Sequence, residues 1–176
     1  LPDGSVRSFP GSVTGAVLAA DIGPGLAKAA LAIRLNGEMT DLATEITEDA
    51  SVSIVTGKDE DGLELLRHDA AHVMAEAVQD LFPDTQVTIG PGIENGFFYD
   101  FAREKPFSLD DFEKIERRMA EIVDRDEEIV REVWDREDAI RHFSEAGETY
   151  KAEIIQDLPV GEDISVYRQG SWLDLC

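Results

Sequence analysis

The chain has 176 residues, 43% of them hydrophobic and 31% charged, and 38 acidic side chains against 16 basic ones give a formal net charge of −22. This is a globular composition for one domain or two small ones. No apolar run reaches the ~18–20 residues of a membrane span, no charged-then-apolar segment reads as a secretory signal, and so negative a total argues against a broad nucleic-acid surface, although local basic patches survive it. The single cysteine, Cys176, cannot close an internal disulfide and points to a reducing, cytoplasmic setting. Leu1 where an initiator methionine would stand, and a terminus on a strand-like run, point to a piece of something longer.

Val6 to Phe9 reads as a short strand. Ser12 can cap a helix through Ala20, with Val13, Val17 and Leu18 on its apolar side. Ala30 to Leu35 is strand-like and closes on Asn36-Gly37, the strongest two-residue hairpin signal; Ser51 to Val55 is a further strand. Residues 1–57 are therefore expected to form a small β-grasp-like sheet over one helix. The polar, glycine-bounded stretch Gly57 to Gly62 marks a boundary, with 58–62 as linker.

A second domain, 63–176, opens on a helix from Leu63 to Leu81. Leu63, Leu66, Ala70, Val73, Met74, Ala77 and Leu81 supply its core face, while His68, His72, Ala75, Glu76 and Gln79 share another. Gln86 to Ile89 and Phe97 to Phe101 read as strands around the turn-rich Gly90 to Gly96. Ser108 with Asp111 resembles a capping box that starts a long helix carrying Phe112, Ile115, Met119 and Ile122. Ile129 to Trp134 is a strand, Asp135 caps a helix that Gly147 ends, and Tyr150 to Ile155 is a short helical segment. Two strands, Ile164 to Gln169 and Ser171 to Cys176, finish the chain. The expected class is α+β, with a two-layer second domain on a mostly antiparallel sheet.

The chemistry concentrates in His68-Asp-Ala-Ala-His72. Residues i and i+4 of a helix lie one above the other, so both imidazoles enter the same space. His-Asp-Ala-Ala-His departs from the zinc-protease pattern at Asp69, one methylene short of the glutamate that serves as base there, and Glu76 is the remaining candidate third ligand. Alternatively the two histidines, with Cys176, position a water and move protons at an ester. Asp174 stands two residues before Cys176, so on a strand both face the same way. Tyr99 in Asn95 to Asp100 is read as a core or interface aromatic, His142 as structural, and Gly90-Pro-Gly92 as no phosphate loop.

Leu1-Pro-Asp-Gly-Ser5, Leu66-Arg-His-Asp-Ala-Ala-His72, Ile89 to Asp100, Gly147-Glu-Thr-Tyr-Lys151 and Trp172-Leu-Asp-Leu-Cys176 together resemble, in order, the amino-terminal part of the bacterial threonyl-tRNA synthetases. The resemblance implies a TGS domain followed by an editing domain that hydrolyses mischarged seryl-tRNA(Thr). It implies editing residues His68, His72, Lys151, Asp174 and Cys176, with Tyr99 near the substrate. His68, His72 and Lys151 are then expected to handle water, proton and ribose, and Asp174 and Cys176 to shape the amino-acid pocket. In the family the motif runs on past Cys176 to another histidine, so the editing domain of this chain is expected to be truncated at its carboxyl end.

No cofactor is expected in this segment, and a metal, if any, would sit on His68, His72 and Cys176; zinc, ATP and magnesium belong by resemblance to an aminoacylation domain elsewhere. The implied partners are the tRNA(Thr) acceptor end and seryl or threonyl esters, with no membrane. A monomer is expected for the segment and a homodimer for the full enzyme. Two other readings stay open on the residues themselves: an acidic, non-catalytic binding module, and a zinc hydrolase built on the histidine pair.

Overall fold

The computed structural model of the chain describes residues 1–90 and 92–176; Pro91, within the turn-rich stretch, lies outside them. The chain divides into two compact units, Leu1–Arg67 and His68–Cys176. Every strand pair among the described residues is antiparallel.

The first unit contains β1 (Val13–Thr14), α1 (Gly15–Ile22), α2 (Pro24–Ala29), β2 (Ala30–Leu35), β3 (Glu38–Asp41), β4 (Glu45–Ile46) and β5 (Val52–Thr56). β2 is central, between β3 and β5. The hairpin joining β2 to β3 turns on Asn36 and Gly37, both at positive φ (53° and 97°), as a two-residue turn of matching twist requires. Leu18 of α1 packs on Ile33 and Val52 to close the core.

Three expectations for this unit are corrected. Val6 to Phe9 forms no strand. Thr14, not Ser12, caps α1, its hydroxyl accepting from the Val17 amide at 3.3 Å. The helix starts late because Val13 and Thr14 are drawn into a ladder with Ile46 and Glu45, where a β-branched pair fits better than in a helical turn. Residues 58–62 are no free linker either, because α3 (Glu60–Leu81) already begins within them. The Asp59 carboxylate accepts from the Thr56 amide and hydroxyl and turns the chain straight from β5 into that helix.

The second unit continues α3 and adds β6 (Gln86–Val87), β7 (Gly92–Ile93), β8 (Gly96–Phe97), β9 (Phe101–Ala102), α4 (Leu109–Asp124), β10 (Ile129–Trp134), α5 (Arg136–Glu145), α6 (Thr149–Asp157), β11 (Ile164–Gln169) and β12 (Trp172–Leu175). β11 lies between β10 and β12. The single sheet expected here is instead three separate sheets among the described residues, because β6–β9 and β7–β8 each pair over two residues before the glycine-rich turns break the register.

Two halves of the core fix the site. Phe143 of α5 and Ile155 of α6, both fully buried, pack with Ile164, Val166 and Leu173 of the β11–β12 hairpin. α3 is buried on two sides: Val73, Ala77 and Val78 meet Ile115 and Ile122 of α4, while Ala71 and Ala75 meet Val87 and Tyr99. The expected core face is thereby shifted. Leu63, Leu66 and Leu81 are exposed, while Ala71, Ala75 and Val78, outside the expected face, are buried, because small side chains let neighbouring backbone approach a helix closely. Phe112 of α4 is likewise exposed, whereas its stripe-mates Ile115 and Ile122 are buried. The Ser108–Asp111 capping box is present, with the Asp111 carboxylate accepting from the Ser108 amide at 2.9 Å.

Candidate active site

α3 sets His68 and His72 one turn apart, their ring centroids 4.5 Å from each other and their Nε2 atoms 3.2 Å apart. The other ring nitrogen of His72, Nδ1, meets Oδ2 of Asp174 at 2.6 Å. Asp174 stands on β12 opposite Tyr167 of β11. Two residues on, the Cys176 amide donates to the Ser165 carbonyl at 2.9 Å, and Sγ lies 3.6 Å from Nε2 of His68. The alternation of a strand therefore brings both residues to the imidazole pair.

Lys151 arrives by a different route. At the end of α5, Gly147 takes φ +79°, its amide donating to the Ser144 carbonyl and the Glu148 amide to that of Phe143. This double bond around a left-handed residue ends one helix and starts the next within two residues. α6 then carries Lys151 into the interior, where Nζ lies 2.6 Å from Oδ1 of Asp174 and also pairs with the Glu148 carboxylate. The last member is Tyr99, whose hydroxyl donates to Oδ2 of Asp174 at 2.8 Å. Its ring stacks on Phe101 at 5.1 Å and lies against Gly90 so closely that any Cβ there would overlap it.

Asp174 thus collects His72 and Tyr99 on one oxygen and Lys151 with the Leu175 amide on the other. Burial alone would raise its pKa, but His72 and Lys151 overcome this and hold it below the ordinary carboxylate value. Burial likewise works to lower His72, and is outweighed by its hydrogen bonds to Asp174 and Cys176, which raise it to about 9. Burial raises the Cys176 thiol, yet the two imidazoles bring it down to about 7. Burial and the Asp174 charge push the Tyr99 phenol well above its usual value.

A cleft of about 410 Å³ opens on this cluster, walled by His68, His72, Tyr99 and Cys176 and by the apolar Ile89, Ile154 and Leu158. Lys151 and Asp174 have no exposed surface and sit behind those walls. The six residues that the family resemblance implied are therefore brought together, four on the cleft and two beneath it.

Residues 1–56 match the TGS domain family. Over its whole length the chain is 68% identical to a threonine–tRNA ligase of Rhodospirillum rubrum, 65% to one of Gluconobacter oxydans, and, over 177 aligned residues, 66% to one of Paramagnetospirillum magneticum. Along its whole length the chain thus matches the amino-terminal part of threonine–tRNA ligases. It spans about a quarter of the length of the curated relatives it matches, 27% for the first two and 28% for the third.

Glu148 is the residue of this cluster that the sequence alone did not single out. Its signal was the three-residue spacing to Lys151, which places the two on one helical face. Glu76, by contrast, is not with the histidines: it is buried and paired with Arg125. Burial raises its pKa against the pull of that arginine. His142 is exposed, edge-on to the Trp134 and Phe143 rings at 5.2 and 5.3 Å. No helix among the described residues is long and apolar enough to cross a membrane.

Three ligand atoms, one each from His68, His72 and Cys176, lie within 4.8 Å of one another. The 3.2 Å and 3.6 Å separations match the edges of a tetrahedron around zinc, ~3.3 Å between nitrogens and ~3.6 Å from nitrogen to sulfur at ordinary bond lengths. His72 also has the carboxylate on its far nitrogen that metal-bound histidines usually carry. A divalent ion is therefore sterically and chemically admissible at these three residues.

Proposed function

We propose that this chain is the editing region of a threonine–tRNA ligase and that its cleft hydrolyses seryl-tRNA(Thr). The observation that carries the reading is the convergence of His68, His72, Lys151, Asp174 and Cys176, drawn from three distant stretches of chain, at and directly beneath one cleft of about 410 Å³. A synthetic site built for threonine rejects serine weakly, since one methyl is worth only ~1–3 kcal/mol. A second cleft that takes the smaller side chain and excludes the larger by contact removes the error.

In the proposed mechanism, His68 accepts a proton from water as the water oxygen attacks the ester carbonyl carbon. His72, held as imidazolium by Asp174 at neutral pH, faces the oxygen on which negative charge develops. The carbon–oxygen bond to the terminal ribose then breaks, the ribose oxygen takes the proton from His68, and free serine and tRNA leave. Cys176 acts as a wall of the amino-acid pocket and forms no covalent intermediate. Lys151 and Asp174, being wholly buried, hold His72 in place and leave the ribose to the residues of the cleft. The acceptor end of tRNA is the partner this requires.

The test is deacylation of seryl- and threonyl-tRNA(Thr) by this chain and by the full-length ligase that carries it. Selective seryl hydrolysis, lost in His68→Ala and in His72→Ala, supports the reading. Equal hydrolysis of both esters, or activity surviving both substitutions, overturns it. A second reading, favoured by the closeness of the His68, His72 and Cys176 ligand atoms, places a zinc ion there that would supply Lewis acidity. Stoichiometric zinc in purified protein, lost in Cys176→Ala, would favour it.

A further inference from the structure

We infer that Glu148 is a positioning residue of the proposed deacylation site, which holds the Lys151 ammonium so that Asp174 keeps its charge for His72. The inference rests on the editing reading above. Asp174 and Lys151 have no exposed surface, and Glu148 exposes 15% of its side chain. His72 and Lys151 both lean on the one carboxylate of Asp174. A wholly buried ammonium that shares its counter-charge is expensive, and a second carboxylate beside Lys151 offsets that cost. Around Nζ of Lys151 that carboxylate is Glu148; its other neighbours are the faces of Phe143 and Trp172, 5.2 and 5.9 Å away.

The placement of Glu148 is a second sign. It occupies the cap position of α6, yet its side chain makes no bond to the free helix amides and turns to Lys151 instead. Oε2 of Glu148 and Nζ of Lys151 are both shut off from solvent, and neither contact of Nζ is aligned as a good hydrogen bond. Charge, and not directed bonding, is what keeps Lys151 between the two acids. With Glu148 neutral, Lys151 would draw Asp174 to itself, and His72 would lose the partner that sets its ring.

The experiment is single-turnover and steady-state seryl-tRNA(Thr) deacylation by the full-length ligase carrying Glu148→Gln, Glu148→Asp, Lys151→Met, or Glu148→Gln with Lys151→Met. Glu148→Gln is expected to lower kcat by roughly 10–100-fold, as loss of an orienting partner does, with KM within about twofold of the parent. Glu148→Asp should recover part of that loss. In the Lys151→Met background, Glu148→Gln should change kcat no further, because it acts through the lysine. Independent, multiplying effects would overturn the inference, as would normal kcat in Glu148→Gln beside an impaired Lys151→Met. Normal hydrolysis by Lys151→Met would instead remove the role of the buried lysine in the editing reading, and the inference with it. Should Glu148→Gln alone fold poorly, the charge-balanced double variant and Glu148→Asp still decide the matter.

Discussion

His72 and Asp174 are 102 positions apart in sequence and 2.6 Å apart in space, an imidazole of α3 seated on a wholly buried carboxylate of β12. The contact ties the first helix of the second unit to its last strand, so the geometry of the cleft and the stability of the unit share one pair of atoms.

Asp174→Asn tests both consequences. It keeps the shape but takes from His72 its carboxylate and leaves Lys151 to Glu148 alone. Removing one partner of a buried pair costs about 3–5 kcal/mol, so the urea midpoint should fall by a corresponding amount. Seryl-tRNA deacylation should fall by roughly 100-fold, the upper end for an orienting partner. An unchanged midpoint would show that the pair contributes nothing to folding.

The pH dependence of stability follows from two opposed shifts in metal-free protein. His72, raised to about 9, binds more protons folded than unfolded, so its contribution is complete below its ordinary pKa near 6.5 and is lost as pH rises through 9. Cys176, lowered from 9.0 to about 7, contributes above 9 and loses that as pH falls through 7. Between pH 7 and 9 the two slopes have opposite sign, and the urea midpoint of the parent chain should stay nearly level. Cys176→Ala removes the thiol slope and leaves Asp174 alone to hold His72 up, so the midpoint should decline as pH rises through a somewhat lower range; a level profile in the variant would refute the assignment. At the acid end the lowered Asp174 contributes above its ordinary pKa of 3.8, and that contribution is lost as pH falls through the depressed folded value.

Tyr99→Phe deletes one donor to a charged acceptor, worth about 1.5–3 kcal/mol. Gly90→Ala leaves that donor in place but drives a methyl into its ring, an overpacking cost of about 1–3 kcal/mol. Chemical denaturation of both should show destabilisation, and the double variant should show less than the sum, because both act on one ring. Strict additivity would mean that the ring does not move when Gly90 is filled.

How much was legible beforehand depends on the range of the physics involved. The Asn36-Gly37 hairpin, the Ser108–Asp111 box and the Asp135 cap are local, and the structure contains all three. Ser12 misled because a cap competes with strand pairing to Ile46, a partner more than thirty residues away. The core face of α3 misled because leucines advertise burial and alanines do not; which side is covered depends on α4 and Val87. At the site, spacing alone exposed only the histidine pair. Lys151, Asp174 and Cys176 were found through family resemblance, since no periodicity links residues on α3, α6 and β12. Glu148 was lost among 38 acidic residues that look alike until one is seen facing a buried lysine.

Gly147→Ala probes how the lysine is delivered. A side chain at φ +79° is strained by about 1–2 kcal/mol. Relief of that strain would rotate the start of α6 and withdraw Lys151 from Asp174. Deacylation should then drop further than the same loss of stability causes at a remote exposed helix position, measured well below the melting temperature. Proportionate losses at both places would assign Gly147 to folding alone.

The alanines that line α3 have one more result. Gripped from both flanks by α4 and by the Val87–Tyr99 cluster, the segment bearing the imidazoles has little room to rock. The proposed discrimination of serine from threonine requires a cleft whose walls hold to within a fraction of a methyl radius, since a yielding wall would admit both. Small side chains packed against backbone provide that rigidity without bulk, which makes the least conspicuous residues of the helix the ones that set its tolerance.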